Sequence, residues 1–198
     1  GEIHNHNELG YAQGSLERSY EIARSHLDFY AFTPHGLHAD GGTPDGFPVV
    51  NENWAGIQQA AAANNRPGEF TCFLGYEWHS HEWGHLWVVS CADDQPMYCA
   101  RTLGELQDHF RGTPTILGAH HTAYDGGVDW ANFDEELSPV VEIFSEHGCS
   151  ERDIGTFPML GHSGGPGPAR FTLQHGLTFG RRFGFSAGTD THDGYPGA

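Results

Sequence analysis

The chain has 198 residues and a formal net charge of −17, with nine basic residues, all Arg, against 26 acidic residues and fifteen His. That length suits one domain, residues 1–198, with a single core, and no run of about 18 apolar residues offers a membrane-spanning helix. The acidic balance argues against sequence-independent nucleic-acid binding, which needs a basic face, and leaves any phosphate to be captured by local cations.

Gly1 to His6 reads as a short strand ending in His-x-His. Strand alternation puts His4 and His6 on one face, about 6–7 Å apart, where two imidazoles can converge on one cation. A polar loop, Asn7 to Gly14, follows. Ser15 is a good N-cap, and Leu16, Tyr20, Ile22 and Ala23 give a helical apolar stripe to about His26. The aromatic run Leu27 to Thr33 reads as a buried strand, with His35 just beyond its end on a loop. Residues 37–50 are Gly- and Pro-rich and read as an excursion, before a helix from about Glu52 to Asn65.

Phe70 to Tyr76 is a second buried strand, delivering Glu77. The dense segment from Trp78 to His85 leads into an apolar strand, Leu86 to Ser90. His81 and His85 have the i, i+4 spacing of a helical metal pair, but a short Gly-containing segment between two strands disfavours that reading. Thr102 and Glu105 form a capping box for a helix to about Arg111. Thr115 to Ala119 is a strand ending in His120-His121, and Pro139 to Phe144, with Glu142 inside it, is followed by Glu146-His147. A Gly/Pro-rich loop spans Gly161 to Pro168, and Arg170 to His175 reads as a short helix. Phe183 to Ala187 is the last strand and delivers Asp190 and His192, so soon before Ala198 that a C-terminal part is expected to be missing. The four cysteines form no C-x-x-C; Cys91 and Cys99 could close a short loop, or all four could stay reduced.

Strand, helix, strand, helix, with candidate ligands at strand ends, is the grammar of a parallel α/β barrel or open sheet. The collected groups are His4, His6, His35, Glu77, His85, His120, Asp190 and His192. Nitrogen plus carboxylate ligands suit Zn²⁺, Mn²⁺ or Fe better than Mg²⁺ or Ca²⁺. They are too many for one tetrahedral ion, so two or three ions are expected, with Glu77 as the natural bridge. His85 is preferred over His79 and His81, and His120 narrowly over His121; His26, His38, His109, His162 and His175 read as surface or core histidines.

These motifs together resemble the PHP (polymerase and histidinol phosphatase) superfamily, in its branch of metal-dependent phosphoesterases. His4-Asn5-His6 resembles the first motif, H-x-H. Leu27 to Gly36 resembles the second, with Pro34 where an Asp is usual. Gly75-Tyr76-Glu77, Gly84-His85, Ala119-His120 and Gly188-Thr189-Asp190-Thr191-His192 resemble the later motifs, in the right order, with His121 in a usual Pro position. The resemblance implies a distorted (β/α)7 barrel, at this length truncated or incompletely closed. It implies one ion on His4, His6, Glu77 and Asp190, and a second on Glu77, His85 and His120. A third would rest on His35 and His192 with a ligand from the first loop, where this chain has Gln13 and where Glu8 is the substitute.

The function expected is hydrolysis of a phosphate ester by a metal-activated hydroxide. His121, His147 and Asp193 are the candidate proton donors. The alternatives are an amidohydrolase-like enzyme, disfavoured because the chain has no Lys to bridge metals, and a non-catalytic metal-stabilised module of a larger protein. The expected partner is a small phosphorylated substrate, with nucleic acid only as a processed ester and no membrane. Oligomeric state stays open, as does compartment, with the cytoplasm ahead.

Overall fold

The computed structural model describes residues 1–39, 47–124, 126–152, 159 and 165–198. Half of the expected 37–50 excursion and half of the 161–168 loop, with His162, lie outside the described residues. The described strands fall into two mixed sheets rather than the expected (β/α)7 barrel, and no closed barrel forms.

Helix α1 (Leu16–His26) starts where Ser15 accepts a hydrogen bond from Arg18 N, and it buries Tyr20 and Ala23. Strands β1 (Phe29–Phe32) and β2 (His35–His38) then run parallel to one edge of β3 (Thr71–Ser80), one after the other. Between them lies α2 (Phe47–Asn64), which begins about a turn earlier than the apolar pattern suggested. Pro48 explains the early start, since a proline in the first helical turn gives up only an N–H that has no partner there. Strand β4 (Gly84–Ser90) turns back on β3 as an antiparallel hairpin, and β5 (Thr115–Ala119) pairs antiparallel with β4. Helix α3 (Leu103–Phe110) joins those two strands; Thr102 accepts from Glu105 N, and Glu105 reaches back to Arg101 N at 2.8 Å.

The hairpin is why the barrel fails. Only residues 81–83 separate β3 from β4, and a parallel crossover needs about a dozen or more. Gly84, at φ +89°, allows the sharp reversal. The second sheet is β7-β6-β8, from β6 (Val140–Ser145), β7 (Gly148–Cys149) and β8 (Gly184–Ala187), with β6 and β8 parallel. Before β8, the expected short helix is a 3-10 turn, Ala169–Phe171, followed by α4 (Leu173–Thr178). None of the four cysteines forms a disulfide, so no Cys91–Cys99 loop is closed. No described helix is long and apolar enough to cross a membrane.

Alternation sorts the larger sheet into two faces. Cys72, Leu74, Tyr76 and Trp78 of β3 point, with Leu86 and Val88 of β4, into the main core. Tyr20 and Ala23 of α1, Ile57 and Ala61 of α2, and Leu106 and Phe110 of α3 meet them there. Alternation therefore puts Glu77 and His79 on the other face. That face also carries a smaller cluster of Ala31, Trp87 and Val89, against which Val140 of β6 packs.

The opening segment links the sheets. It is not a regular strand, but an extended stretch with one bridge, Glu2 to Tyr30. On one side Glu2 N and Glu2 O bond to Phe29 O and Ala31 N. On the other, His4 O accepts from Asp190 N at 2.8 Å and His6 N donates to Thr191 O at 3.1 Å. The buried Glu2 carboxylate accepts from His4 N and Thr189 N, fastening the start of the chain to the exit of β8.

The site-bearing face depends on close packing at Gly118, which sits opposite Trp87 in the β4–β5 register. A Cβ at Gly118 would overlap the buried Trp87 indole. Gly118→Ala is expected to destabilise the fold by about 1–3 kcal/mol, through overpacking. Urea unfolding of the variant beside the parent measures this, and equal midpoints would show that the indole yields freely.

Candidate metal centre

Glu77 is the geometric centre of the site. Its carboxylate is buried on β3, and each oxygen faces its own set of imidazoles. Around Oε2 stand His6 Nε2 at 3.3 Å, His4 Nε2 at 3.6 Å and His35 Nε2 at 3.7 Å. Around Oε1 stand His79 Nε2 at 2.6 Å, His120 Nε2 at 2.8 Å and His85 Nδ1 at 3.5 Å. Two ligands on one transition-metal ion, each about 2.0–2.1 Å from it, lie about 2.9–3.4 Å apart at octahedral or tetrahedral angles. The spacings bracket that range.

Asp190 is the second carboxylate. Its Oδ1 lies 2.9 Å from His6 Nε2 and 3.3 Å from His4 Nε2, and its Oδ2 lies 3.0 Å from His147 Nε2. Its backbone is left-handed at φ +52°, as is that of His121 at φ +30°, conformations that non-glycine residues hold only at a cost. Glu142, inside β6, accepts from His4 Nδ1 at 2.8 Å, which leaves His4 Nε2 directed at Glu77 and Asp190. A carboxylate behind a ligand imidazole fixes its tautomer in this way.

The electrostatics fit ligands rather than ordinary core residues. Burial drives His6 down to about 4 against the pull of Asp190, and His120 down to about 3 against that of Glu77. Burial also lowers His35, helped by His6, and His121, helped by His120. These imidazoles are therefore neutral near pH 7, with a lone pair to give. Burial alone would protonate Glu77 and Asp190. Instead Glu77 lies well below the carboxylate range, with His79 first among the neighbours that lower it, and Asp190 does likewise beside His4 and His147. Burial pushes Glu142 up to about 7 despite His4. His4 is itself raised, because Asp190 and Glu142 outweigh its burial. His4 Nε2 and Glu77 Oε2 are buried and make no hydrogen bond. Two such atoms in one crowded centre are what a bound cation would satisfy.

Among the described residues, six groupings of acidic and imidazole side chains each bring at least three donor atoms within 4.8 Å of one another, close enough to hold an ion. They include Glu77–His85–His120–His121, His6–His35–His192, His4–His120–Glu142–Asp190, His4–His6–Glu77 and His35–Glu77–His79. Of the candidates read from the sequence, His4, His6, His35, Glu77, His85, His120, Asp190 and His192 thus come together. His121 joins them, stacked on Tyr124 at 4.0 Å. Glu8 is exposed in a 3-10 turn and lines a cleft with Leu16, Asn53 and Gly56, and none of the cluster contacts above involves it. Gln13 is also exposed. Asp193 is exposed, and its Oδ1 accepts from Tyr195 N.

Two residues escaped the sequence reading. His79 was set below His85, yet it is buried and is the nearest nitrogen to Glu77. Its signal was the i, i+2 spacing from Glu77, the same as in His4 and His6. Glu142 was seen inside a strand but given no role. Glu77 itself lies within β3, three residues before its end, rather than just beyond a strand.

A family described as a protein of unknown function (DUF3604) matches residues 11–96. Comparison with curated proteins finds no match. Among solved structures, PsfC from Pseudomonas syringae PB-5123 is similar in fold, with TM-score 0.55 and 19% identity over 98% of this chain and 76% of that one. A second similar structure is Endonuclease Q in complex with a 27-mer duplex bearing an abasic lesion, with TM-score 0.46 and 11% identity over 72% of this chain and 41% of that one.

Metal should stabilise the folded chain by mass action. Adding Zn²⁺ or Mn²⁺ to chelator-stripped protein is expected to raise Tm by several degrees, and Glu77→Ala to abolish that rise. Differential scanning calorimetry decides, and a parent Tm indifferent to every transition metal would refute the metal reading.

Proposed function

We propose that the chain is a PHP-like, metal-dependent hydrolase that cleaves a phosphate ester of a small molecule. One observation carries the reading: a buried carboxylate, Glu77, whose two oxygens each face three imidazole nitrogens. A carboxylate so placed could serve two ions at once. His4, His6 and Asp190 would complete one shell, and His85 and His120 the other. His35 and His192 flank them. Bound Zn, Mn or Fe ions would supply a nucleophile from water at neutral pH and offset charge on the phosphoryl oxygens.

The chain's own groups do the rest. Glu142 holds the His4 ring in place through Nδ1. Phosphate capture falls to the centre itself, because three of the arginines are engaged elsewhere: Arg111 with Asp134, Arg182 with Glu135, and Arg181 with Trp130 O and Ala131 O. The leaving oxygen takes its proton from His147. That imidazole is partly exposed at the rim, and its contact with Asp190 overcomes burial to raise its pKa, which favours the protonated form a donor needs. His121, inside the cluster and lowered by burial, suits a ligand or orienting role better than that of a proton donor.

Purified protein is expected to hold two or more transition-metal ions by elemental analysis and to hydrolyse p-nitrophenyl phosphate or its bis ester. Chelation should abolish turnover, and Mn²⁺ or Zn²⁺ should restore it. His147→Ala should lower kcat about 10²-fold with metal content unchanged. Metal without turnover on any phosphoester would favour the non-catalytic module instead.

A further inference from the structure

We propose that His79 is a metal ligand, and that an ion sits between His35, Glu77 and His79 in a site that does not depend on the loop after His6. This rests on the metal centre described above but assigns it a residue and a position outside the family-like ligand set.

The placement follows from neighbouring strands. In the register of the sheet, β2 sets His35 beside Glu77, and the β3–β4 hairpin sets His79 beside His85. Residues 77 and 79 share a face, so His79 Nε2 comes to 2.6 Å from Glu77 Oε1 while His35 Nε2 lies 3.7 Å from Oε2. The His35 and His79 rings stack at 5.0 Å, and their donors and a Glu77 oxygen all fall within 4.8 Å of one another.

His35 has one nitrogen to give, because its Nδ1 is bonded to Gly10 O at 2.5 Å. Two groupings compete for Nε2. His6–His35–His192 offers three imidazoles and no carboxylate. His35–Glu77–His79 offers a carboxylate oxygen as well, whose charge would offset part of that of a divalent ion in a buried place. The loop cannot make up the difference for the first grouping. Gln13 is exposed and meets His192 only through its backbone N–H, which donates to His192 O at 2.9 Å, and Glu8 is exposed too.

The competing role for His79 is a plain hydrogen bond that orients Glu77. His79→Gln separates the two, since the amide can still donate to Glu77 Oε1 but is a poor ligand. Each protein is loaded with Mn²⁺ or Co²⁺, freed of excess by gel filtration and counted by elemental analysis. H79Q is expected to carry about one ion fewer per chain than the parent and to change the visible spectrum of the Co²⁺ form. Gln13→Ala is expected to keep the parent's count. An H79Q protein with native circular dichroism, the parent's ion count and the parent's Co²⁺ spectrum would overturn the proposal while leaving the hydrolase reading intact. A parent that holds no metal would overturn both. If H79Q does not fold, anomalous diffraction from crystals of the unaltered metal-loaded protein decides. A peak about 2.1 Å from His79 Nε2 supports the site, and no peak there overturns it.

Discussion

Everything in this structure answers to one buried carboxylate. An ionised group taken out of water costs several kcal/mol unless charges or hydrogen-bonding partners surround it. Glu77 is nevertheless held ionised inside β3. It manages this because four separate parts of the chain besides its own strand bring an imidazole to it: the opening segment, β2, the start of β4 and the exit of β5. The opening segment has the further task of joining the two sheets, with β1 on one side and the exit of β8 on the other. Asp190 and the His4–His6 pair meet across that joint. Fold and site are thus one construction.

The same constraint gives meaning to the composition. A chain with −17 formal charge and no Lys has few permanent cations to set against buried carboxylates. Histidine serves in their place: burial strips it to a neutral imidazole, as at His6 and His120, while at His4 the carboxylates Asp190 and Glu142 favour a proton that a bound ion would displace. Ionised Glu77 and Asp190 beside neutral imidazoles leave a deficit of positive charge that divalent ions would fill.

How much of this was legible depended on how local each signal was. His4–His6 and Asp190–His192 sit two residues apart, and alternation needs no partner strand to put such a pair on one face. His79 carried the same spacing from Glu77 but was discounted, because β3 was expected to stop at Tyr76. It continues to Ser80 because β4 pairs with it on one edge and β2 on the other, a tertiary effect that strand propensity does not contain. Glu142 was hidden for a similar reason: an acidic residue in an apolar strand becomes informative only once His4 lies 2.8 Å away. Glu8 failed as a ligand candidate for a local reason, since Asn7 caps a 3-10 turn that leaves Glu8 exposed. The barrel was inferred from ligands at strand ends, and the three residues between β3 and β4 were the contrary signal.

That misreading shows why the centre survives a change of architecture. In a parallel sheet, ligands gather at the carboxyl ends because those ends all point one way. Here β4 runs backwards, and its candidate ligand His85 stands at its start rather than its end. A tight hairpin places the beginning of one strand beside the end of the one before it. His85 therefore lies opposite His79, at the same end of the sheet as His35 and His120. What the chemistry requires is a common edge of the sheet, and either strand direction can deliver a side chain there. A chain can exchange a helical crossover for a three-residue turn and still keep every ligand within reach of the same carboxylate.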